Sequence, residues 1–283
     1  MPEGDTIYRI ADVMRRTLGR DEIVAARARP GGAQLGRVVG ARVSAVRTRG
    51  KHLLIEFDDG LTLHTHLQMN GSWHRYRRGE SWRAPAGDSV AVLETERAVA
   101  VCFGAPTVEL IETKALATHP VLSALGPDLL DDEPDLGEAA RRLLAARVTV
   151  AEALLDQRVV AGIGNVYRSE LLFIERQDPF ARAGDLRAER VNRLLEVGRD
   201  LLRANVVGGD RVTMPDASGA RPDASADGSR SRGRWVYARA GRPCRLCGER
   251  LRARSIGELP RPLYWCPRCQ DASRPTSRRA PAP

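Results

Sequence analysis

A chain of 283 residues, 42% of them hydrophobic, has room for two domains with cores of their own and a small appendage. It holds no run of 18 apolar residues, which excludes a membrane-spanning helix; its first residues include Glu3, Asp5, Arg9 and Asp12 and lack the apolar stretch of a secretory signal, so a cytoplasmic protein is expected. The net charge of +9 is lopsided: from Arg230 onward fourteen arginines stand against Glu249, Glu258 and Asp271, while everything before sums to −2, which suits either a polyanion such as nucleic acid or a solvated basic tail.

The chain opens Met1-Pro2-Glu3-Gly4-Asp5-Thr6. An initiator methionine ahead of a small proline is usually removed, which would leave Pro2 with a free secondary amine beside the Glu3 carboxylate. An α-amino group titrates near 7.7–8.0, so at neutral pH a useful fraction is uncharged and able to attack electrophilic carbon, forming a Schiff base. Ile7, Ile10, Ala11, Met14 and Leu18 follow the spacing of an amphipathic helix beginning directly behind Pro2. Its positive end favours the uncharged amine, while Glu3 pulls the other way. The same residues also fit an exposed chain end followed by an ordinary helix start.

Residues 23–58 read as short strands, among them Val38–Val46 and His52–Phe57, with Asp58-Asp59-Gly60 a hairpin turn. Leu61–Leu67 alternates, Gln68-Met69-Asn70-Gly71 is a loop, and further strands are expected at Ser89–Leu93, Ala98–Phe103 and Val108–Ile111. Residues 1–125 are therefore predicted to form a β-sandwich or barrel with a flanking helix. From Gly126-Pro127-Asp128 the texture becomes helical, with helices at Leu136–Ala146, Ala151–Leu155, Asn165–Ile174 and Leu186–Val206, a second domain over 126–233. Within it, 208–233 is Gly- and Asp/Ser-rich and reads as a mobile loop. A cysteine-bearing unit fills 234–270, and 271–283 reads as a disordered Pro/Arg/Ser tail.

Cys244-x2-Cys247-x18-Cys266-x2-Cys269 is a pair of Cys-x-x-Cys knuckles at the separation that suits tetrahedral thiolate coordination of one structural Zn²⁺. A disulfide framework does not fit a reducing cytosol. The fifth cysteine, Cys102, falls in a predicted strand as a core thiol. Gly162-Ile163-Gly164-Asn165 joins two helices, a turn that lets backbone approach a phosphate and the next helix present its N–H groups to it. A tight interhelical turn with no ligand, or a simple helix-hairpin-helix, has the same appearance. Only two of the 45 basic residues are lysines, Lys51 and Lys114, which hints that a compact ammonium is wanted there.

In order along the chain stand Pro2-Glu3-Gly4-Asp5-Thr6, Arg49-Gly50-Lys51-His52-Leu53, Leu154-Leu155-Asp156-Gln157 through Gly164-Asn165-Val166-Tyr167, and the four-cysteine segment ending Tyr264-Trp265-Cys266-Pro267-Arg268-Cys269-Gln270. Together they make residues 1–270 resemble the Fpg/Nei family of base-excision DNA glycosylases. Pro-Glu-Gly at the start looks more like the endonuclease VIII branch, especially its actinobacterial members. The resemblance implies an α+β fold: an N-terminal β-sandwich with flanking helices, then a helical helix–two-turn–helix domain carrying a C-terminal four-cysteine zinc finger, with DNA in the cleft between.

The resemblance also implies roles. Pro2 would attack C1′ of the damaged nucleoside, Glu3 would protonate the sugar ring oxygen and shuttle protons, and Lys51 would contact phosphate and aid elimination. Arg261 matches the finger arginine and Asn165 the helix-turn asparagine, both on phosphate. Gln68 and Met69 sit where the family carries the loop that fills the gap left by a flipped nucleotide. Asn70 departs from the aromatic residue common beside that wedge, and Phe103-Gly104-Ala105-Pro106-Thr107 lacks the arginine–phenylalanine insertion of the Fpg branch. The expected protein is thus a monomeric, nucleoid-associated glycosylase and abasic-site lyase for oxidised pyrimidines in duplex DNA, needing Zn²⁺, no organic cofactor and no membrane. The rival readings are an Fpg-like enzyme for oxidised purines and a non-catalytic zinc-dependent DNA-binding paralogue.

Overall fold

The computed structural model describes residues 2–214, 233–258 and 260–271. Most of the 208–233 loop and nearly all of the 271–283 tail therefore lie outside the described residues. The chain divides into two compact units, Met1–Ala124 and Leu125–Pro283.

The first unit begins with α1 (Gly4–Leu18), whose buried Ile7, Ala11, Met14 and Leu18 follow the expected helical stripe. Burying each large apolar side chain contributes about 1.5–3 kcal/mol, enough to hold a short helix that propensity alone would not. The strands are β1 (Ala25–Ala28), β2 (Val43–Arg49), β3 (His52–Phe57), β4 (Leu61–His66), β5 (Ser72–Arg77), β6 (Ser89–Glu94), β7 (Ala98–Phe103) and β8 (Thr107–Glu112). They form two antiparallel four-stranded sheets, ordered β1-β6-β7-β5 and β2-β3-β4-β8. Leu53, Ile55 and Leu63 from one sheet and Ala91, Leu93 and Cys102 from the other share one core with α1. This is the expected sandwich, with Cys102 buried in its core.

Two sequence expectations change. The run Val38–Val46 is not one strand: a 3-10 turn covers Leu35–Val38, and β2 starts at Val43. Gly40, at φ +90°, turns the chain and donates its N–H to the Ile23 carbonyl, which ends any extended run there. The sequence reading also passed over β5. Its buried residues Trp73 and Tyr76 lie three apart, so no period of two announces a strand; pairing with β7 creates it, Trp73 opposite Cys102.

The second unit contains α2 (Leu136–Ala145), α3 (Val150–Ala153), α4 (Asn165–Ile174) and α5 (Ala188–Ala204). Asp135 caps α2 by accepting the Glu138 N–H, and Thr149 with Glu152 makes a reciprocal capping box on α3. The hairpin β9 (Arg252–Ile256) and β10 (Arg261–Trp265) completes the cysteine-bearing segment, with β10 against α4. Among the described residues, no helix is long and apolar enough to cross a membrane.

Candidate functional site

Pro2 and Glu3 stand directly ahead of α1. Glu3 is the helix N-cap in extended conformation, its carbonyl accepting the N–H groups of Thr6 and Ile7, and the residue is fully buried. The sequence also fits an exposed chain end; the fold encloses Glu3 while Pro2 is half-buried. α1 packs on β2 and β3, the hairpin whose turn carries Lys51. That turn has two residues, Gly50 and Lys51, and Gly50 takes φ +58°, a conformation costly for any residue with a Cβ.

The loop joining β4 to β5 leads from one sheet to the other. Gln68 adopts φ +47° and Met69 is 52% exposed, an unusual position for a large apolar side chain. Gly71 closes the loop by donating to the Leu67 carbonyl, and a Cβ there would come within 2.6 Å of that oxygen. The turn thus requires glycine and fixes Met69 at its tip.

The same unit holds a group the sequence reading did not single out. His52, His64 and His66 share one face of the β3–β4 ladder, with His119 and Glu109 beside them. Burial, followed by the positive fields of His66, His64, His119 and Lys51, lowers His52 to about 3. Burial and then the Lys51 ammonium and His64 lower His66 to about 4. At neutral pH the His52 and His66 imidazoles are uncharged, beside the Lys51 ammonium. The signal was available: His64 and His66 are two apart in an alternating strand and face the same way.

In the second unit the structure brings Asn165 and Arg261 together. Asn165 is the first residue of α4, behind Gly164, and is 3% exposed. Its Nδ2 donates to the Pro262 carbonyl at 2.8 Å, and its Oδ1 accepts from the guanidinium of Arg168. Arg168, buried completely, also donates to the carbonyls of Arg261 at 3.4 Å and Ala151 at 3.5 Å. The Asn165 amide, expected to reach outward to phosphate, thus also braces the start of β10, where Arg261 stands. Gln157 braces the preceding turn, donating to Leu155 and Ile163 carbonyls and accepting the Gly162 N–H.

Every residue of α4 is buried, Arg168 and Glu170 included. Glu170 accepts from the backbone N–H groups of Trp235, Val236 and Tyr237 at 2.7–2.8 Å and from the Thr213 hydroxyl. Arg168 and Glu170 were both missed. Two charges in a helix otherwise rich in leucine, isoleucine and phenylalanine were the hint, since a buried charge needs partners.

The four sulfurs of Cys244, Cys247, Cys266 and Cys269 lie within 4.8 Å of one another, within reach of a single metal ion. Cys247 and Cys266 approach to 3.5 Å, Cys244 and Cys269 to 3.9 Å. They share protons unequally: the hydrogen bond from Cys266 draws Cys244 down to about 5, whereas burial and then Cys247 push Cys269 up to about 12. Four thiolates this close are stable together only around a cation, so the donor set fits a metal.

The formamidopyrimidine-DNA glycosylase N-terminal domain family matches residues 1–106, and the H2TH domain of the same glycosylases matches residues 125–216. A probable endonuclease 8 2 of Streptomyces coelicolor is 36% identical over 289 residues, covering 100% of this chain and 99% of the relative. The chain belongs to the Fpg/Nei family. Among further Fpg/Nei relatives, a DNA-(apurinic or apyrimidinic site) lyase Nei2 of Mycolicibacterium smegmatis is 36% identical, covering 96% of this chain and all of that one. A Lactococcus lactis formamidopyrimidine-DNA glycosylase, non-covalently bound to DNA containing an abasic site, superposes with a TM-score of 0.78 over 95% of this chain and 99% of its own, at 20% identity, a likeness of fold.

Proposed function

We propose that this Fpg/Nei protein is a bifunctional DNA glycosylase and abasic-site lyase of base excision repair that removes oxidised pyrimidines from duplex DNA, working in the cytoplasm on the nucleoid. The observation that carries the reading is full-length similarity to relatives named endonuclease 8 and DNA-(apurinic or apyrimidinic site) lyase, in a chain with Pro2 and Glu3 at the head of α1.

The residues give the chemistry an order. With Met1 removed, the neutral Pro2 nitrogen attacks C1′ of an everted nucleotide, and the damaged base departs with the electrons of the glycosidic bond. Glu3, held at the N-cap, supplies the proton to the ring oxygen as the sugar opens to an iminium. The iminium acidifies C2′; loss of a proton there breaks the C3′–O bond and releases the 3′ phosphate, and δ-elimination then releases the 5′ side. Lys51, on its two-residue turn, holds a phosphate and assists elimination. Arg261 grips phosphate from the start of β10, with Asn165 beside it, and Met69 with Gln68 fills the vacated stack. Cys244, Cys247, Cys266 and Cys269 would hold one structural Zn²⁺, which would fix the hairpin that carries Arg261.

Borohydride trapping on an abasic duplex tests the reading. Wild-type protein should yield a covalent adduct, and Pro2→Gly, or a tag that blocks the amine, should yield none. An undiminished adduct from the variant would refute Pro2 as the nucleophile, and none from wild type would leave a DNA-binding paralogue. Duplexes holding thymine glycol, 5-hydroxycytosine or 8-oxoguanine test the branch; preference for the purine would overturn the pyrimidine assignment.

A further inference from the structure

Four of the five histidines gather with Glu109 on the sheet face opposite the core residues Leu53, Ile55 and Leu63. Their hydrogen bonds define the proton positions. His119 Nδ1 accepts the backbone N–H groups of Leu122 at 3.2 Å and Val121 at 3.3 Å. Its proton therefore sits on Nε2, which donates to Glu109 Oε2 at 3.2 Å. His64 Nδ1 donates to that same oxygen at 3.1 Å. Burial keeps His64 neutral against the opposing pull of Glu109, so its Nε2 carries no proton and accepts from His52 Nδ1 at 2.8 Å. By elimination His52 Nε2 is a bare acceptor. The His52 ring then stacks on His66, directly opposite on β4, at 4.4 Å between centroids and 21° between planes.

The ends of this chain of contacts matter. Lys51 immediately precedes His52, and Leu67-Gln68-Met69 immediately follows His66. The stacked pair is the cross-strand link between the Lys51 turn and the wedge loop.

We propose that Glu109, acting through His64, is a positioning relay that locks His52 in one tautomer against His66 and so holds the Lys51 turn and the Gln68–Met69 loop in register for strand cleavage. This rests on the proposed lyase activity and adds positioning residues to it. A competing use of the same atoms is a metal centre, since His64, Glu109 and His119 offer three ligand atoms within 4.8 Å of one another. A ligating histidine needs its second nitrogen to be a donor. The second nitrogen of His119 instead faces two backbone donors, which favours the relay.

Long-range ¹⁵N–¹H spectra of the zinc-loaded full chain at neutral pH should show His52 and His64 protonated on Nδ1 and His119 on Nε2. His64→Leu should lower kcat for cleavage of an abasic duplex by about tenfold, the low end of what losing an outer-shell partner costs at a metal site, with KM little changed. His64→Gln keeps one donor and one acceptor and should restore most of that loss. Glu109, whose side chain is 47% exposed, gives a second variant that leaves the core closed: Glu109→Ala should show the same fall in kcat. Wild-type kcat in both His64→Leu and Glu109→Ala, or a proton on His64 Nε2, would overturn the relay while leaving the lyase reading intact. So would two zinc ions per chain falling to one in His64→Leu, which would establish the metal centre instead.

Discussion

At the residue scale, the proposed mechanism gives the two leading side chains separable duties. Pro2 would supply the nitrogen that bonds to C1′, whereas Glu3 would move protons to and from the sugar. Glu3→Gln keeps the size and the N-cap backbone and removes only the proton. It should lose base excision by about 10²–10⁴-fold, the range for general acid–base catalysis, and keep much of the cleavage of a ready-made abasic site. Comparing the two substrates in single-turnover assays checks this, and equal loss on both would contradict the proton-donor role. The histidines carry a pH signature. His52 is lowered to about 3 and His66 to about 4, both from 6.5, so in acid the unfolded chain takes up protons that the folded chain refuses. Their contribution to stability is complete above about 6.5 and is lost as pH falls toward 4 and below. The Glu109 carboxyl, raised by burial but lowered further by its bonds to His64 and His119, adds loss of the same sign in acid. Protection factors of the β3 and β4 amides, corrected for the slower intrinsic exchange in acid, should therefore fall from pH 7 to pH 5; unchanged protection would disprove the linkage.

At the element scale, α4 ties the second unit together. Its N-terminus presents the Gly164–Asn165 turn, Arg168 reaches the carbonyls at the start of β10, and Glu170 gathers the stems on either side of residues 215–232. Thr213 and Met214 N–H groups close the same stem on the Gly233 carbonyl. Glu170→Ala would leave three backbone donors with no acceptor and the Thr213 hydroxyl with only the Gly233 carbonyl at 3.4 Å, at a cost of roughly 1–3 kcal/mol for each donor not rescued by water. A loss of about 3 kcal/mol or more is expected in urea unfolding of the second unit; a change below 1 kcal/mol would mean the stems are held by other contacts.

At the scale of the molecule, nine of the fourteen arginines from Arg230 onward lie in the cysteine-bearing segment 234–270, so much of the charge suited to DNA sits on the segment proposed to hold the metal. Chelating the metal, or replacing Cys269 by alanine, should weaken DNA binding sharply. Because Asn165 and Arg168 donate to carbonyls of β10, exchange protection should fall in α4 as well. The sandwich of Met1–Ala124 has its own core and should melt unchanged. Calorimetry with and without chelator checks this, and collapse of both units together would count against independent folding.

What the sequence by itself determined was whatever rests on local pattern. The helix stripe behind Pro2, α4 from Asn165 to Ile174, strands β3 and β7, and the two Cys-x-x-Cys knuckles were legible because spacing, caps and turn glycines act within a few residues. Tertiary structure decided what depends on partners distant in sequence. Strand β5 exists through its pairing with β7, and the arginine-rich β9, with no apolar pattern, exists through β10. The burial of Glu3, the grip of Arg168 and Asn165 on β10, and the neutral pair His52 and His66 beside Lys51 arise in the same way. Each joins groups that only the folded chain brings within hydrogen-bond distance, where exclusion of water sets both the cost of a charge and the position of a proton.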